Sequence, residues 1–140
     1  MKVIQIFLIG CLFLITVLGG CQSKTPEYTT ATPEGTIRLY IQAQCELDAE
    51  KLAGCYVEEE RERVKADAER GFEQLYSFSV ENLKVEVVSQ TDSTAKVKVR
   101  CDKIVSPVWS KGEYRDVYKN QVSQFNLEKQ GNEWLIKTPN

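Results

Sequence analysis

Three kinds of hydrophobic spacing follow one another along the 140 residues. The first is an unbroken apolar run: after Lys2, the stretch VIQIFLIGCLFLITVL carries no charge and only Gln5 and Thr16 as polar side chains. A polar segment follows, QSKTPEYTTAT from Gln22 to Thr32, too poor in apolar surface to offset the entropy of ordering it. The spacing then becomes helical. Thr32, Pro33 and Glu34 read as an N-cap, a proline at the first helical position and an acid in the first turn, and Ile37, Tyr40, Ile41, Gln44 and Cys45 recur on one face. Asp48 starts a second, short helix, DAEKLAGCY, with Leu52, Cys55 and Tyr56 in one stripe. A third helix, over about Glu58 to Tyr76, places Val64, Ala68, Phe72 and Leu75 three or four apart. Its polar face offers Glu59 with Arg63 and Lys65 with Glu69 as i,i+4 ion pairs.

After Ser77 the period falls to two. Leu83, Val85 and Val87 alternate with Lys84 and Glu86, SQTDST breaks the run, and Ala95, Val97, Val99 and Cys101 alternate with Lys96, Lys98 and Arg100, which predicts an antiparallel hairpin. The segment DKIVSPVWSKGEY contains Pro107 and Gly112 and predicts a break or bulge. Two more strands are expected at about Tyr114 to Glu128 and Glu133 to Lys137, with Gly131 in the turn between them able to take a positive φ. Helices first and an antiparallel sheet after them define an α+β fold.

The apolar run is a little short of the roughly 20 residues that span a bilayer, and its flank decides its role. LGGC, Leu18 to Cys21, resembles the lipobox of bacterial lipoproteins, in which a cysteine receives a diacylglyceryl thioether and becomes the first residue after cleavage. The resemblance implies cleavage between Gly20 and Cys21, lipidation of Cys21, and an extracytoplasmic protein held on a bacterial membrane. Two acyl chains anchor a protein firmly where one does so only marginally. The expected organisation is a signal peptide over 1–20, the lipidated cysteine and a flexible tether over 21–32, and one folded domain over 33–140.

Loss of residues 1–20 removes only Lys2 among the charges and leaves a net charge near −3. That balance, with the signs mixed along the sequence, gives no electrostatic reason to bind nucleic acid or an anionic lipid surface.

TPEGTIRLYIQAQCELDAEKLAGCYVEEE is similar to the opening of NTF2-like domains, in particular those of small bacterial lipoproteins, and FNLEKQGNEWLIK is similar to their last hairpin. The resemblance covers about residues 32–138, with Leu47 standing where the family often has glycine. It implies a cone in which N-terminal helices pack on a curved antiparallel sheet, with a pocket at the wide end. Enzymes of the group place an acidic base there, often with tyrosine or histidine partners.

This chain has no histidine, so it lacks the commonest acid–base group near neutral pH, any Ser–His or Cys–His pair, and the usual metal ligand. Asp67, Asp102 and Asp116 are each able to act as a base if buried with a raised pKa, and otherwise read as surface or turn carboxylates. No glycine-rich nucleotide loop occurs. No catalytic residue, metal ligand or cofactor is assigned. Among the aromatics, Tyr40, Tyr56 and Trp134 read as core and Trp109, beside Pro107 in the least regular segment, as the contact residue. Tyr114 and Tyr118 complete the aromatics able to line an amphipathic pocket.

Three readings stand: a lipid-anchored module binding a small hydrophobic or aromatic ligand, an interaction protein of the cell envelope, and a histidine-free isomerase or dehydratase. The domain is expected as a monomer or a homodimer. With Cys11 removed and Cys21 alkylated, Cys45, Cys55 and Cys101 remain in an oxidising compartment. A reversal near Asp48 makes Cys45 and Cys55 the candidate disulfide; the alternative is three reduced core thiols.

Overall fold

The computed structural model describes residues 27–139; the lipobox, with Gly20 and Cys21, lies outside the described residues. Helix α1 spans Pro33–Glu46. It starts as its sequence predicts, because the Thr32 hydroxyl accepts the Gly35 N–H at 3.0 Å and supplies an acceptor for one of the unpaired N–H groups of the first turn. It ends at Leu47, which takes the left-handed conformation usually left to glycine (φ 54°), while the Asp48 N–H reaches the Ala43 carbonyl at 2.9 Å. Asp48 then caps α2 (Ala49–Ala53), accepting the Lys51 N–H at 2.9 Å.

A 3-10 turn at Glu58–Glu60 leads into α3 (Arg61–Phe72). Strands β1 (Leu75–Gln90), β2 (Thr94–Pro107), β3 (Asp116–Gln130) and β4 (Glu133–Ile136) form one antiparallel sheet in sequence order. Gly131 holds a φ of 62° in the last turn, as expected.

Strict alternation along β2 buries Ala95, Val97, Val99 and Cys101 against Ile37 and Ile41 of α1, with Leu127, Trp134 and Ile136 from the later strands. The Thr36 hydroxyl, fully buried, donates to the Trp134 carbonyl at 2.6 Å and pins α1 to β4. A second cluster, Ala43, Leu52, Ala53 and Val64, joins the three helices.

The sheet curls because both neighbours of β2 carry an extra residue at the same level. The register of β1 slips between Glu81 and Lys84, and that of β3 slips opposite Cys101 and Lys103. An asparagine in left-handed conformation sits in each bulge, Asn82 (φ 53°) and Asn120 (φ 52°). Between them, on β2, the buried Asp102 carboxylate accepts from the Asn120 N–H at 2.7 Å, the Asn82 side-chain amide at 2.8 Å and the Lys119 ammonium at 3.2 Å. The donated Asn120 N–H, then the Asn82 amide, hold its pKa below the ordinary aspartate value. One carboxylate thus ties together the two bulges that bend the sheet into an α+β cone.

Several expectations are corrected. The third helix neither begins at Glu58 nor reaches Tyr76: Leu75 fits both periods, and its pairing with Pro107 assigns it to β1. Arg63 pairs with Glu60 and Asp67 rather than Glu59, and Lys65 with Glu50 of α2 rather than Glu69, since α2 packs alongside. The break expected within DKIVSPVWSKGEY is there, but later than its first residues: β2 runs on to Pro107 and a 3-10 turn follows at Val108–Ser110. Cys45 is exposed, because the buried face of α1 runs through Pro33, Thr36, Ile37, Ile41 and Ala43. Cys45 and Cys55 are unbridged here, and Cys55 and Cys101 are buried free thiols. Charges mixed along the sequence are partly sorted by the fold: Lys96, Lys98 and Arg100 of β2 leave by the face turned away from the helices, while Lys103 lies on the concave side.

Candidate functional site

The concave side of the cone meets the helices around two tyrosines that come from different elements. Tyr40 lies on the half-buried flank of α1, and Tyr56 follows α2 in a segment whose N- and C-terminal neighbours are tied to β4: the Val57 N–H donates to the Ile136 carbonyl, and the Ile136 N–H to that of Cys55. The ring of Tyr40 stands edge-on to Tyr56 at 6.1 Å and to Phe125 of β3 at 5.2 Å. Its oxygen accepts from the Gln44 amide at 3.2 Å. Both phenols are pushed up by burial, Tyr56 further by its neighbour Tyr40, so each stays a neutral donor through the physiological range. With the Gln44 amide donating to its oxygen, the Tyr40 O–H has no acceptor among the described residues and is left to donate.

A groove of about 360 Å3 opens beside this pair, between α1, α2 and α3, with Leu52, Val64, Ala68 and Phe72 on its apolar wall and Arg63 and Asp67 at its polar end. A smaller hollow of about 50 Å3 continues under the sheet past Tyr40 and Gln44 to Cys101, Lys103 and Phe125. The lining is apolar and aromatic with a few convergent polar groups, and the volume falls within the roughly 300–1,000 Å3 of small-molecule sites. A hollow of about 410 Å3 at the hairpin end is lined by Ser89, Thr91, Thr94, Lys96 and the chain end at Thr138 and Pro139, without an aromatic ring.

Of the aspartates, Asp102 is the buried one, and its donors make it a stable anion rather than a base with a raised pKa. Asp67 sits at the groove's end between Arg63 and Arg70, and Asp116 accepts from the Tyr114 hydroxyl at 2.7 Å. Among the described residues no three His, Cys, Asp or Glu side chains are grouped to hold a metal.

Trp109 is 71 % exposed and stacks on Tyr114 at 5.6 Å, outside the groove. Trp134 is buried, as its spacing predicts. Sequence reasoning favoured the core for Tyr40 and Tyr56 over a pocket wall, read Phe72 only as part of the third helix's apolar stripe, and passed over Phe125. The available signal was that Tyr40 and Gln44 lie one turn apart on the edge of α1's apolar stripe, where a polar tip can face a cavity.

No protein-family model matches the chain, and no curated protein is similar to it in sequence. Solved structures do match. A dehydratase candidate of the NTF2-like family from Streptomyces avermitilis superposes with a TM-score of 0.53 at 12% identity, over 72% of this chain and 85% of its own. A candidate scytalone dehydratase from Novosphingobium aromaticivorans gives 0.52 at 18% identity, over 73% and 74%. The fold is NTF2-like. A protein of unknown function from Mycobacterium tuberculosis gives 0.55 at 17% identity over 72% of this chain; there the chain spans only 63% of the other's length. At these identities the likeness concerns the NTF2-like fold and not the chemistry each protein performs. The groove lies among the three helices, and only the small hollow past Tyr40 continues between them and the concave sheet of that fold.

Proposed function

We propose that this chain is a membrane-anchored extracytoplasmic lipoprotein whose NTF2-like domain binds a small, largely apolar or aromatic ligand without transforming it. The observation that carries the reading is the groove beside Tyr40 and Tyr56, about 360 Å3 in volume, with the Tyr40 oxygen held by the Gln44 amide and its O–H left to donate. A ligand that suits it presents a ring to Phe72 and Tyr56 and one acceptor oxygen to Tyr40. Among the described residues no buried carboxylate with a raised pKa adjoins the groove to serve as a base, which speaks for binding over proton transfer.

The assay compares acetophenone, a ring with one carbonyl, with ethylbenzene, the same ring without an acceptor, in titrations of the soluble domain. Acetophenone binds about fivefold more tightly, the ratio that corresponds to one net hydrogen bond of about 1 kcal/mol. Tyr40→Phe erases that preference. Equal affinities for the two compounds in the wild-type domain sink the reading. The anchor is tested separately: alkyne fatty acid labels the wild-type chain in growing cells and not Cys21→Ser, and a labelled, membrane-bound mutant overturns it.

A second reading has its own observation. Tyr76, Val108, Trp109, Tyr114 and Val117 are each about half exposed or more around the turn after β2, which suits contact with an envelope protein.

A further inference from the structure

Cross-strand register gathers positive charge on the convex face of the sheet. Lys96, Lys98 and Arg100 alternate with the buried core residues of β2 and leave by the opposite face, and Lys84 of β1 lies directly across from Arg100. Like charges directly opposite one another destabilise a ladder. Among the described residues none of these four cations forms an ion pair. Glu86, paired in register with Lys98, is the acid among them, and a hollow of about 220 Å3 lies between Lys84, Glu86, Lys98 and Arg100. The molecule as a whole is polarised: residues 33–74 hold eleven acidic and six basic side chains, residues 75–140 eight acidic and ten basic. A net negative chain therefore carries its surplus of base in the sheet half, and Lys84, Lys96, Lys98 and Arg100 outnumber Glu86 on this stretch of the convex face.

We infer that this convex face seats the domain on the anionic lipid headgroups of the membrane that holds it. The inference rests on the lipid-anchor reading, and the point where the chain enters the fold favours a bilayer over a free polyanion. Thr30 is fixed beside the last hairpin, its carbonyl accepting the Trp134 N–H at 2.7 Å and its hydroxyl donating to Glu133 at 2.8 Å. Trp134 pairs with Lys129, whose N–H donates to the Ser93 carbonyl in the β1–β2 turn. The tether therefore leaves from the hairpin end, and along β2 the cations follow that turn at roughly 10 Å for Lys96 to 23 Å for Arg100. Nine residues from Cys21 to Thr30 reach at most about 30 Å, enough to lay the face flat and too little to carry it far from the surface. Each net cation at an anionic leaflet favours the seated state by roughly fivefold, and the tether supplies the high local concentration that lets so modest a preference act. Val117 and Val122, exposed on the same face in register with Ile104 and Arg100, add apolar contact.

The test uses the full lipidated chain in vesicles of phosphatidylcholine, with or without phosphatidylglycerol, and maps lysine acylation by peptide mass spectrometry. On the anionic vesicles, modification of Lys84, Lys96 and Lys98 falls severalfold relative to the neutral ones and returns at high salt, while Lys51 and Lys65 on the helices are unchanged. In the double variant Lys98→Gln, Arg100→Gln, with unaltered circular dichroism, Lys84 and Lys96 lose that protection. Equal modification on both vesicle types, or protection at Lys111 instead, overturns the inference while leaving the anchor intact. A chain that does not float with neutral vesicles overturns the anchor itself, and the seating with it.

Discussion

Replacing Ala68 by leucine tests whether the groove is a true vacancy. Ala68 is half-buried on α3, packs beside Leu52 and Val64, and lines the groove with Tyr56 and Phe72. Leucine adds three carbons, and at about 0.8 kcal/mol for each buried methylene their full burial contributes about 2.4 kcal/mol. The lost rotamer freedom of leucine removes about 0.5–1 kcal/mol, and its slightly weaker helix propensity a few tenths more. The expected net gain is about 1 kcal/mol, which for a domain of this size raises Tm by roughly 4–8 °C. Calorimetry of the soluble domain reads the shift, and Ala66→Leu, on the exposed side of the same helix, serves as the control within about 0.5 kcal/mol of wild type. The same Ala68 variant loses affinity for acetophenone because its side chain occupies the ligand's place. A loss of stability of about 1–3 kcal/mol, the signature of an overpacked site, refutes the reasoning, since it means the wall has no room.

Thr36→Val leaves the buried Trp134 carbonyl without its hydroxyl donor and costs about 1–3 kcal/mol in urea unfolding; a change below about 0.5 kcal/mol contradicts the link between α1 and β4. Asp102 is held ionised by donors that exist only in the fold, so its folded pKa lies below its unfolded value of about 3.9; its stabilising contribution is full above that pH and is lost as the pH falls towards the lower folded value. Asp102→Ala should flatten that acid limb of the stability profile, and an unchanged limb argues against the carboxylate as the tie between the two bulges. Burial pushes the Cys55 thiol up to about 12 and raises the Cys45 thiol as well, but Cys45 is open to solvent where Cys55 is buried, so iodoacetamide at pH 8 modifies Cys45 in the native domain and spares Cys55 until unfolding. Equal rates at the two positions contradict that assignment.

Local rules were readable where one side chain satisfies a neighbouring backbone group. Thr32 and Asp48 cap the helices they precede, and Gly131 takes the turn that requires positive φ. The alternation from Ala95 to Cys101 gave the buried face of β2 directly. What the sequence hid depends on contacts between distant segments. Leu75 satisfies both a helical and a strand period, and only its pairing with Pro107 decides between them. The two bulges depend on Asp102 meeting Asn82 and Asn120 from separate strands, which no local pattern announces. Tyr40 and Tyr56 each look like core residues alone and become a site only when α1 and the segment after α2 converge over Phe125. Cys45 was misread because the apolar stripe of α1 ends a turn earlier than its spacing suggests. The basic face was masked by a net charge that averages over both sides of the molecule.

Chemical-shift mapping of the soluble domain against a library of small aromatic fragments tests the central claim most directly. The account predicts that the fragments that bind perturb Tyr40, Gln44, Tyr56, Ala68 and Phe72 together, and that Ala68→Leu abolishes those shifts. Perturbations confined to Trp109 and Tyr114, or a domain that binds none of the fragments, contradict it.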